Sequence, residues 1–108
     1  LIEHIDAVDN LDKILVEKKI DTILIGPYDL SGSLGKSGDF KNKKFINSLK
    51  KIDIICKKRK IIKGIHLPKL DHQNFNNFVK NNFRFIAYGM DTQFLVKSIK
   101  ESFKKILK

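Results

Sequence analysis

Two carboxylates, those of Glu3 and Asp29, are candidate ligands of a metal ion. Glu3 follows a short apolar segment, and Asp29 comes shortly after the apolar run from Thr22 to Ile25. A pair of hard oxygen ligands suits Mg²⁺ or Mn²⁺, which keeps coordination positions free for water and substrate. Spacing alone favours a plainer alternative, in which Glu3 is a solvated residue and Asp29 occupies a turn, where aspartate is common.

Other chemistry-bearing residues cluster after the same apolar runs. Gly26 and Pro27 predict a sharp turn, and the amides of Tyr28, Asp29 and Leu30 could bind a small carboxylate there. Ser31 lies in that segment, where capping is its expected role, and His66 follows the next apolar run. The histidines and Cys56 lack the spacing of zinc ligands, and the glycines lack that of a phosphate loop.

Four strand–helix cycles are predicted to position these residues. The predicted strands lie at Leu1–Ile2, Thr22–Ile25, Ile61–Ile65 and Phe83–Tyr88, and apolar residues at helical spacing follow each of them. We expect Asp6 to cap the first helix and residues 26–38 to form a Gly- and Ser-rich loop. Short apolar strands separated by helices indicate a parallel sheet, whose carboxyl edge gathers the candidate site. The alternatives are about half of an eight-stranded barrel, which typically needs ~250 residues, or a small open doubly wound sheet.

The length and composition indicate one domain over residues 1–108. The chain has 42% hydrophobic residues, no apolar run long enough for a membrane span and no signal-peptide pattern, so we expect a soluble, cytoplasmic protein. The lone Cys56 cannot form an internal disulfide and is expected to be a small buried hydrophobe. The chain begins at Leu1 rather than Met, which suggests a cut N-terminus.

The net charge of +10 first suggests a nucleic-acid binder. However, 20 of the 22 basic residues are lysine, whereas base and bidentate phosphate contacts favour arginine. The lysines are also spread from Lys13 to Lys108, as on a solvated surface. We therefore expect no nucleic-acid partner, and a steep salt dependence of binding would be the sign of one.

Several segments together resemble a known family. Glu3, Ile25–Ser31, Ser33–Gly35, Gly64–His66 and Phe85–Thr92 occur in the order found in the HpcH/HpaI-type pyruvate aldolases, which include the 4-hydroxy-2-oxoheptanedioate and 2-dehydro-3-deoxyglucarate aldolases. The resemblance implies a (βα)₄ half of a TIM (βα)₈ barrel, strands five to eight, in a metal-dependent aldolase that cleaves a 4-hydroxy-2-oxo acid to pyruvate and an aldehyde. It favours metal binding by Glu3 and Asp29 over the alternative that they are only a solvated residue and a turn residue.

The resemblance also implies roles for individual residues. Glu3 and Asp29 match the ligands of a divalent cation, Mg²⁺ or Mn²⁺ with Co²⁺ as a further candidate, and the amides of Tyr28 and Asp29 match those that hold the pyruvate carboxylate. Gly26, Pro27 and Ser31 form the structural turn, while His66 either contacts the aldehyde half or is structural. The family's base and enolate-stabilising arginine have no counterpart here, so they are expected upstream of Leu1, in an N-terminal half-barrel.

The complete enzyme is expected to be a homo-oligomer. Two alternatives stay open beside the aldolase: a non-catalytic fragment or interaction module of the same fold, and a citrate-lyase-like carbon–carbon lyase.

Overall fold

The computed structural model describes residues 1–108 as six helices and three strands. The helices are α1 Ile5–Asp9, α2 Leu11–Ile14, α3 Pro27–Ser33, α4 Lys43–Arg59, α5 His72–Lys80 and α6 Asp91–Ile106. The strands are β1 Thr22–Ile25, β2 Ile62–Leu67 and β3 Phe85–Tyr88. Among the helices, none combines the length and the apolar character that a membrane crossing requires.

The strands form one parallel sheet in the order β1-β2-β3. Ile25 of β1 is paired with Ile65 of β2, which is paired in turn with Ile86 of β3. The first predicted strand is reduced to Ile2, which forms an isolated parallel bridge with Ile25 and donates from its amide to the carbonyl of Leu24 at 2.7 Å. The structure thus confirms an α/β fold built on a small parallel sheet.

Helices α1, α2 and α4 pack against one face of this sheet. Ile23, Ile25, Ile65 and Leu67 are buried in one apolar cluster with residues from α1, α2 and α4, and Cys56 of α4 belongs to the same cluster, as expected. Side chains alternate between the faces of a strand, so the neighbouring positions point away from the helices. On that helix-free face Ile62 and Phe85 are 48% and 46% exposed, because no other element of the chain covers them.

Further sequence predictions about element boundaries are wrong. Residues 26–38 are not all loop, because Pro27–Ser33 is a helix with Gly26 as its N-cap residue and Pro27 at its first position. Asp6 does not cap α1; His4 does, accepting a hydrogen bond at Nδ1 from the Asp6 amide. The strand predicted to end at Ile65 continues to Leu67, because its backbone pairing with β3 extends that far.

The apolar side chains of the last helix, α6, are exposed. Phe94, Leu95, Ile99, Phe103 and Ile106 of α6 are all about half exposed or more. The strand before α6 is also shorter than predicted: Phe83 precedes β3 and is buried in the core, where it packs edge to face on Phe78.

Candidate active site

Glu3 and Asp29 lie at the carboxyl ends of neighbouring segments of the sheet. Glu3 directly follows the Ile2–Ile25 bridge, and Asp29 lies in the first turn of α3, which begins immediately after β1. The amide of Gly26 donates to the carbonyl of Ile2 at 3.0 Å, which joins the two segments at this edge. The sequence predicted both carboxylates at one edge, and the structure has them there.

The side chain of Glu3 lies directly over the backbone of Gly26. A Cβ atom built on Gly26 would be 2.8 Å from Cγ and 2.9 Å from Oε1 of Glu3, closer than Cβ atoms are found in proteins. A glycine at this position is therefore what allows the Glu3 carboxylate to occupy this place. Gly26 has a role here beyond the turn predicted for it.

A serine that sequence analysis did not assign to the site holds the two segments together. The hydroxyl of Ser33 accepts a hydrogen bond from the amide of Ile5 at 3.0 Å and donates to the carbonyl of Leu30 at 2.7 Å. Since Ile5 is two residues after Glu3, this hydrogen bond connects α3 to the segment that contains Glu3. No sequence signal distinguishes Ser33 from an ordinary capping serine, because its partner is 28 residues away.

Neither candidate metal ligand is engaged elsewhere in the chain. Glu3 is half-buried and Asp29 is exposed, and neither carboxylate accepts a hydrogen bond or forms an ion pair, although the chain carries 22 basic residues. The chain has no group of three or more His, Cys, Asp or Glu side chains that could hold a metal ion. Two free carboxylates fit a hard divalent cation that takes most of its ligands from water and substrate.

The backbone amides near Asp29 belong to the start of α3. The Leu30 amide donates to the carbonyl of Gly26 at 2.9 Å as the first hydrogen bond of the helix, so the prediction that it could bind an anion is wrong. The amides of Tyr28 and Asp29 precede that bond and lie among the helix amides that lack a carbonyl partner within the helix. The Tyr28 ring packs edge to face on Phe40, with 5.1 Å between centroids, so its side chain is used in packing.

Ser31 secures the segment that follows the turn. Its hydroxyl donates to the carbonyl of Tyr28 at 2.9 Å and accepts from the amide of Gly38 at 2.9 Å. These two bonds hold the loop after α3 against the first turn of the helix, where Asp29 lies.

His66 lies within β2 rather than after it. The sheet register places Glu3, Gly26, His66 and Ala87 in one row, each of them one residue beyond the paired row that runs from Ile2 to Ile86. By strand alternation this row faces away from the helices. His66 Nε2 is 3.5 Å from the carbonyl oxygen of Gly89, which follows β3. Adjacent strands are about 4.8 Å apart, so two strand spacings, about 10 Å, separate the backbones of Glu3 and His66.

Comparison with known proteins relates the whole arrangement to one family. The family described as HpcH/HpaI aldolase/citrate lyase matches residues 1–98. The hydroxypyruvate/pyruvate aldolase of Pseudomonas aeruginosa is 27% identical over 100 residues, which are 93% of this chain and 37% of that protein. The 4-hydroxy-4-methyl-2-oxoglutarate aldolase of Chaetomium globosum is 28% identical over 98 residues, 88% of this chain and 36% of that protein.

A solved structure shows the same fold. The HpcH/HpaI aldolase of Desulfitobacterium hafniense superposes with a TM-score of 0.85 at 26% identity, over 97% of this chain and 40% of that one. The chain thus spans about two fifths of the length of these relatives. Because the family match covers nearly all of its residues, the chain belongs to the HpcH/HpaI aldolase/citrate lyase family.

Proposed function

We propose that this chain supplies the metal and pyruvate-binding part of a class II aldolase site, in an enzyme that cleaves a 4-hydroxy-2-oxo acid to pyruvate and an aldehyde. The observation that carries the proposal is the pair of free carboxylates at the carboxyl edge of the sheet, with Glu3 seated over Gly26. Membership of a family whose relatives include named pyruvate aldolases supports the choice of reaction.

Glu3 and Asp29 would hold the divalent cation, Mg²⁺ or Mn²⁺ and also Co²⁺. The cation, when bound, supplies Lewis-acid stabilisation of the negative charge that develops on the keto oxygen during carbon–carbon cleavage. The protein's contribution is to keep the two carboxylates in place. Gly26 leaves the space that Glu3 occupies, and Ser33 joins α3 to the segment after Glu3.

The remaining contacts would orient the oxo acid. The Tyr28 and Asp29 amides, at the start of α3, would donate to its carboxylate, because backbone amides in such turns bind anions. His66 would contact the aldehyde half, since it shares the helix-free face and the register row of Glu3. The structural alternative for His66 is its contact with the Gly89 carbonyl.

The proton-transferring base and the arginine would come from outside this chain. Both arginines have other partners, because Arg59 Nε donates to Asp12 at 2.8 Å and Arg84 Nε donates to Asn82 at 3.0 Å. We propose that an N-terminal half-barrel brings the missing groups and covers the helix-free face of the sheet, and that the complete enzyme is a homo-oligomer. The exposed apolar side chains on that face and along α6 support association with further protein.

The proposal is tested by measuring pyruvate binding with and without Mn²⁺ by calorimetry. We expect pyruvate to bind only when Mn²⁺ is present, because its carboxylate and keto oxygens would complete the coordination of the cation. Asp29→Asn should abolish that binding. Asp21→Asn is the matched control, because Asp21 is an exposed carboxylate with no partner at the other end of β1.

Two results would contradict the proposal. Pyruvate binding that is independent of Mn²⁺ would remove the role of the cation, and equal binding by the Asp29→Asn and parent proteins would remove the assigned ligand. A folded chain that binds neither Mn²⁺ nor pyruvate would favour the non-catalytic interaction module.

A further inference from the structure

A cleft at the amino ends of the strands gathers lysines around one carboxylate. It lies between α4 and the end of α5 with the segment that joins α5 to β3, and its volume is about 640 Å³. Lys63, the second residue of β2, lines it. Because Glu3 and Asp29 lie at the carboxyl ends of the same sheet, this lysine cleft is separate from the candidate aldolase site.

The wall of the lysine cleft contains a buried ammonium group. Lys63 is 7% exposed, its ammonium is paired with the carboxylate of Asp53, and it lies 4.4 Å from the centroid of the Phe83 ring. The Nζ of Lys57 is 2.7 Å from the same Asp53 carboxylate. One negative charge is therefore shared by two ammonium groups, and the pair of lysines keeps a net positive charge.

The surroundings add cations but no second carboxylate. A smaller cleft of about 250 Å³ adjoins the first, and the two share Asp53, Lys57, Lys63 and Asn82. The basic residues that line the two clefts are Lys50, Lys57, Lys60, Lys63, Lys80 and Arg84. With six cations and one carboxylate the local formal charge is +5, half of the chain's +10. A concave surface with charge of one sign concentrates counter-ions more strongly than a flat one.

The floor of the lysine cleft is partly apolar. Leu49, Phe78 and Phe83 line it together with the side chains of Asn81 and Asn82. Its volume lies within the roughly 300–1,000 Å³ typical of small-molecule sites. The combination of ammonium groups, amides and an apolar floor matches an organic anion of small size.

We infer that the lysine cleft binds a small phosphorylated ligand with at least two phosphate groups, of the nucleoside diphosphate or triphosphate class. Ammonium groups bind phosphate through charge-assisted hydrogen bonds. Lys50 and Lys80 would contact the phosphates at the rim, while Lys63 would supply charge from the wall. The apolar floor would contact the organic part of the ligand.

The test uses the full chain in buffer without divalent cations. ATP and pyrophosphate are titrated by calorimetry, and amide shifts are followed by NMR. The variant Lys50→Gln/Lys80→Gln removes two rim charges and leaves both pairs of Asp53 intact. The matched control, Lys100→Gln/Lys104→Gln, removes two exposed lysines from α6. We expect the rim variant to bind ATP roughly tenfold more weakly and the control to change by less than about twofold.

Each outcome decides the proposal. Amide shifts confined to α4 and the α5–β3 segment, with the expected difference between the variants, support it. ATP binding tighter than pyrophosphate binding supports contact with the floor, and equal binding overturns that contact and with it the nucleotide class of the ligand. Equal weakening by both variants overturns it in favour of a delocalised charge effect. Absence of ATP and pyrophosphate binding also overturns it, and binding of a single-stranded oligonucleotide in that case identifies a nucleic-acid surface. Asp29→Asn should leave ATP binding unchanged, which separates this inference from the proposed aldolase function.

Discussion

Replacement of Gly26 by alanine should weaken metal binding without unfolding the protein. The added Cβ would lie 2.8 Å from Cγ and 2.9 Å from Oε1 of Glu3. Both atoms belong to a flexible side chain, so Glu3 can swing away while the backbone stays in place. Gly26 has φ −94° and ψ 93°, a conformation that alanine also adopts.

The size of the effect follows from these distances. Carbon atoms in good contact are about 3.5–4.0 Å apart, so the Glu3 side chain has to move by about 1 Å. Metal–ligand distances tolerate only about 0.2 Å, and a displaced ligand is therefore a lost one. We expect affinity for Mn²⁺ to fall by about ten- to a hundredfold. The free energy of unfolding should change by less than about 1 kcal/mol.

The assay is a calorimetric titration with Mn²⁺ together with urea unfolding of the same samples. Gly32→Ala is the control, because its Cβ would lie 3.6 Å from the Cβ of Ser37, an ordinary contact. Gly32 lies inside α3, where alanine favours the helix by up to about 1 kcal/mol. Gly32→Ala should therefore bind Mn²⁺ as the parent does.

Two outcomes would refute this reasoning. If Gly26→Ala binds Mn²⁺ as tightly as the parent protein, Glu3 is not a ligand that depends on its place over Gly26. If Gly26→Ala lowers the free energy of unfolding by several kcal/mol, the glycine is required for the packing of the backbone rather than for the position of the Glu3 side chain.

Three further predictions concern the sheet and α4. Gly64→Ala should lower the free energy of unfolding by about 3 kcal/mol in urea titrations, because its Cβ would lie 2.5 Å from a backbone carbonyl oxygen of β3. A change below about 1 kcal/mol would contradict this and show that β2 and β3 can move apart at little cost in free energy. Burial raises the pKa of the Cys56 thiol to about 11, so it should react with Ellman's reagent only after unfolding, and rapid labelling of the folded chain would contradict this. Hydrogen bonds from Lys57 and Lys63 hold the pKa of Asp53 below its ordinary value, so the stability that this carboxylate contributes is present above about pH 4 and lost as the pH falls through its lowered pKa. Asp53→Asn should lower the free energy of unfolding by about 3 kcal/mol at neutral pH, since Lys63 stays buried without its partner. The variant should also lose less stability than the parent as the pH falls. If urea unfolding shows the same loss of stability in acid for both proteins, Asp53 is not its source.

The regular parts of the fold could be predicted from the sequence. The apolar run Thr22–Ile25 is a strand with those bounds, and the apolar residues at helical spacing from Phe45 to Cys56 lie within α4. Both segments owe their structure to local apolar periodicity, which the sequence displays directly. The position of Glu3 and Asp29 at one edge followed from these strands, because parallel strands end on the same side of a sheet.

Features that depend on distant partners could not be predicted. The Gly- and Ser-rich composition suggested a loop at Pro27–Ser33, although proline at the first position of a helix was a signal for α3. The strand containing His66 is extended by pairing with β3, and the role of Ser33 depends on an amide in α1. Helical spacing in α6 predicts an apolar face but does not tell which surface covers it.

The central claim is that Glu3 and Asp29 together bind a divalent cation. Electron paramagnetic resonance of free Mn²⁺ during titration with the protein measures this directly. We predict that the parent protein and the Asp21→Asn control reduce the signal of free Mn²⁺ equally, while Glu3→Gln and Asp29→Asn each leave most of it unchanged. Equal Mn²⁺ affinity in all four proteins would contradict the assignment of the site.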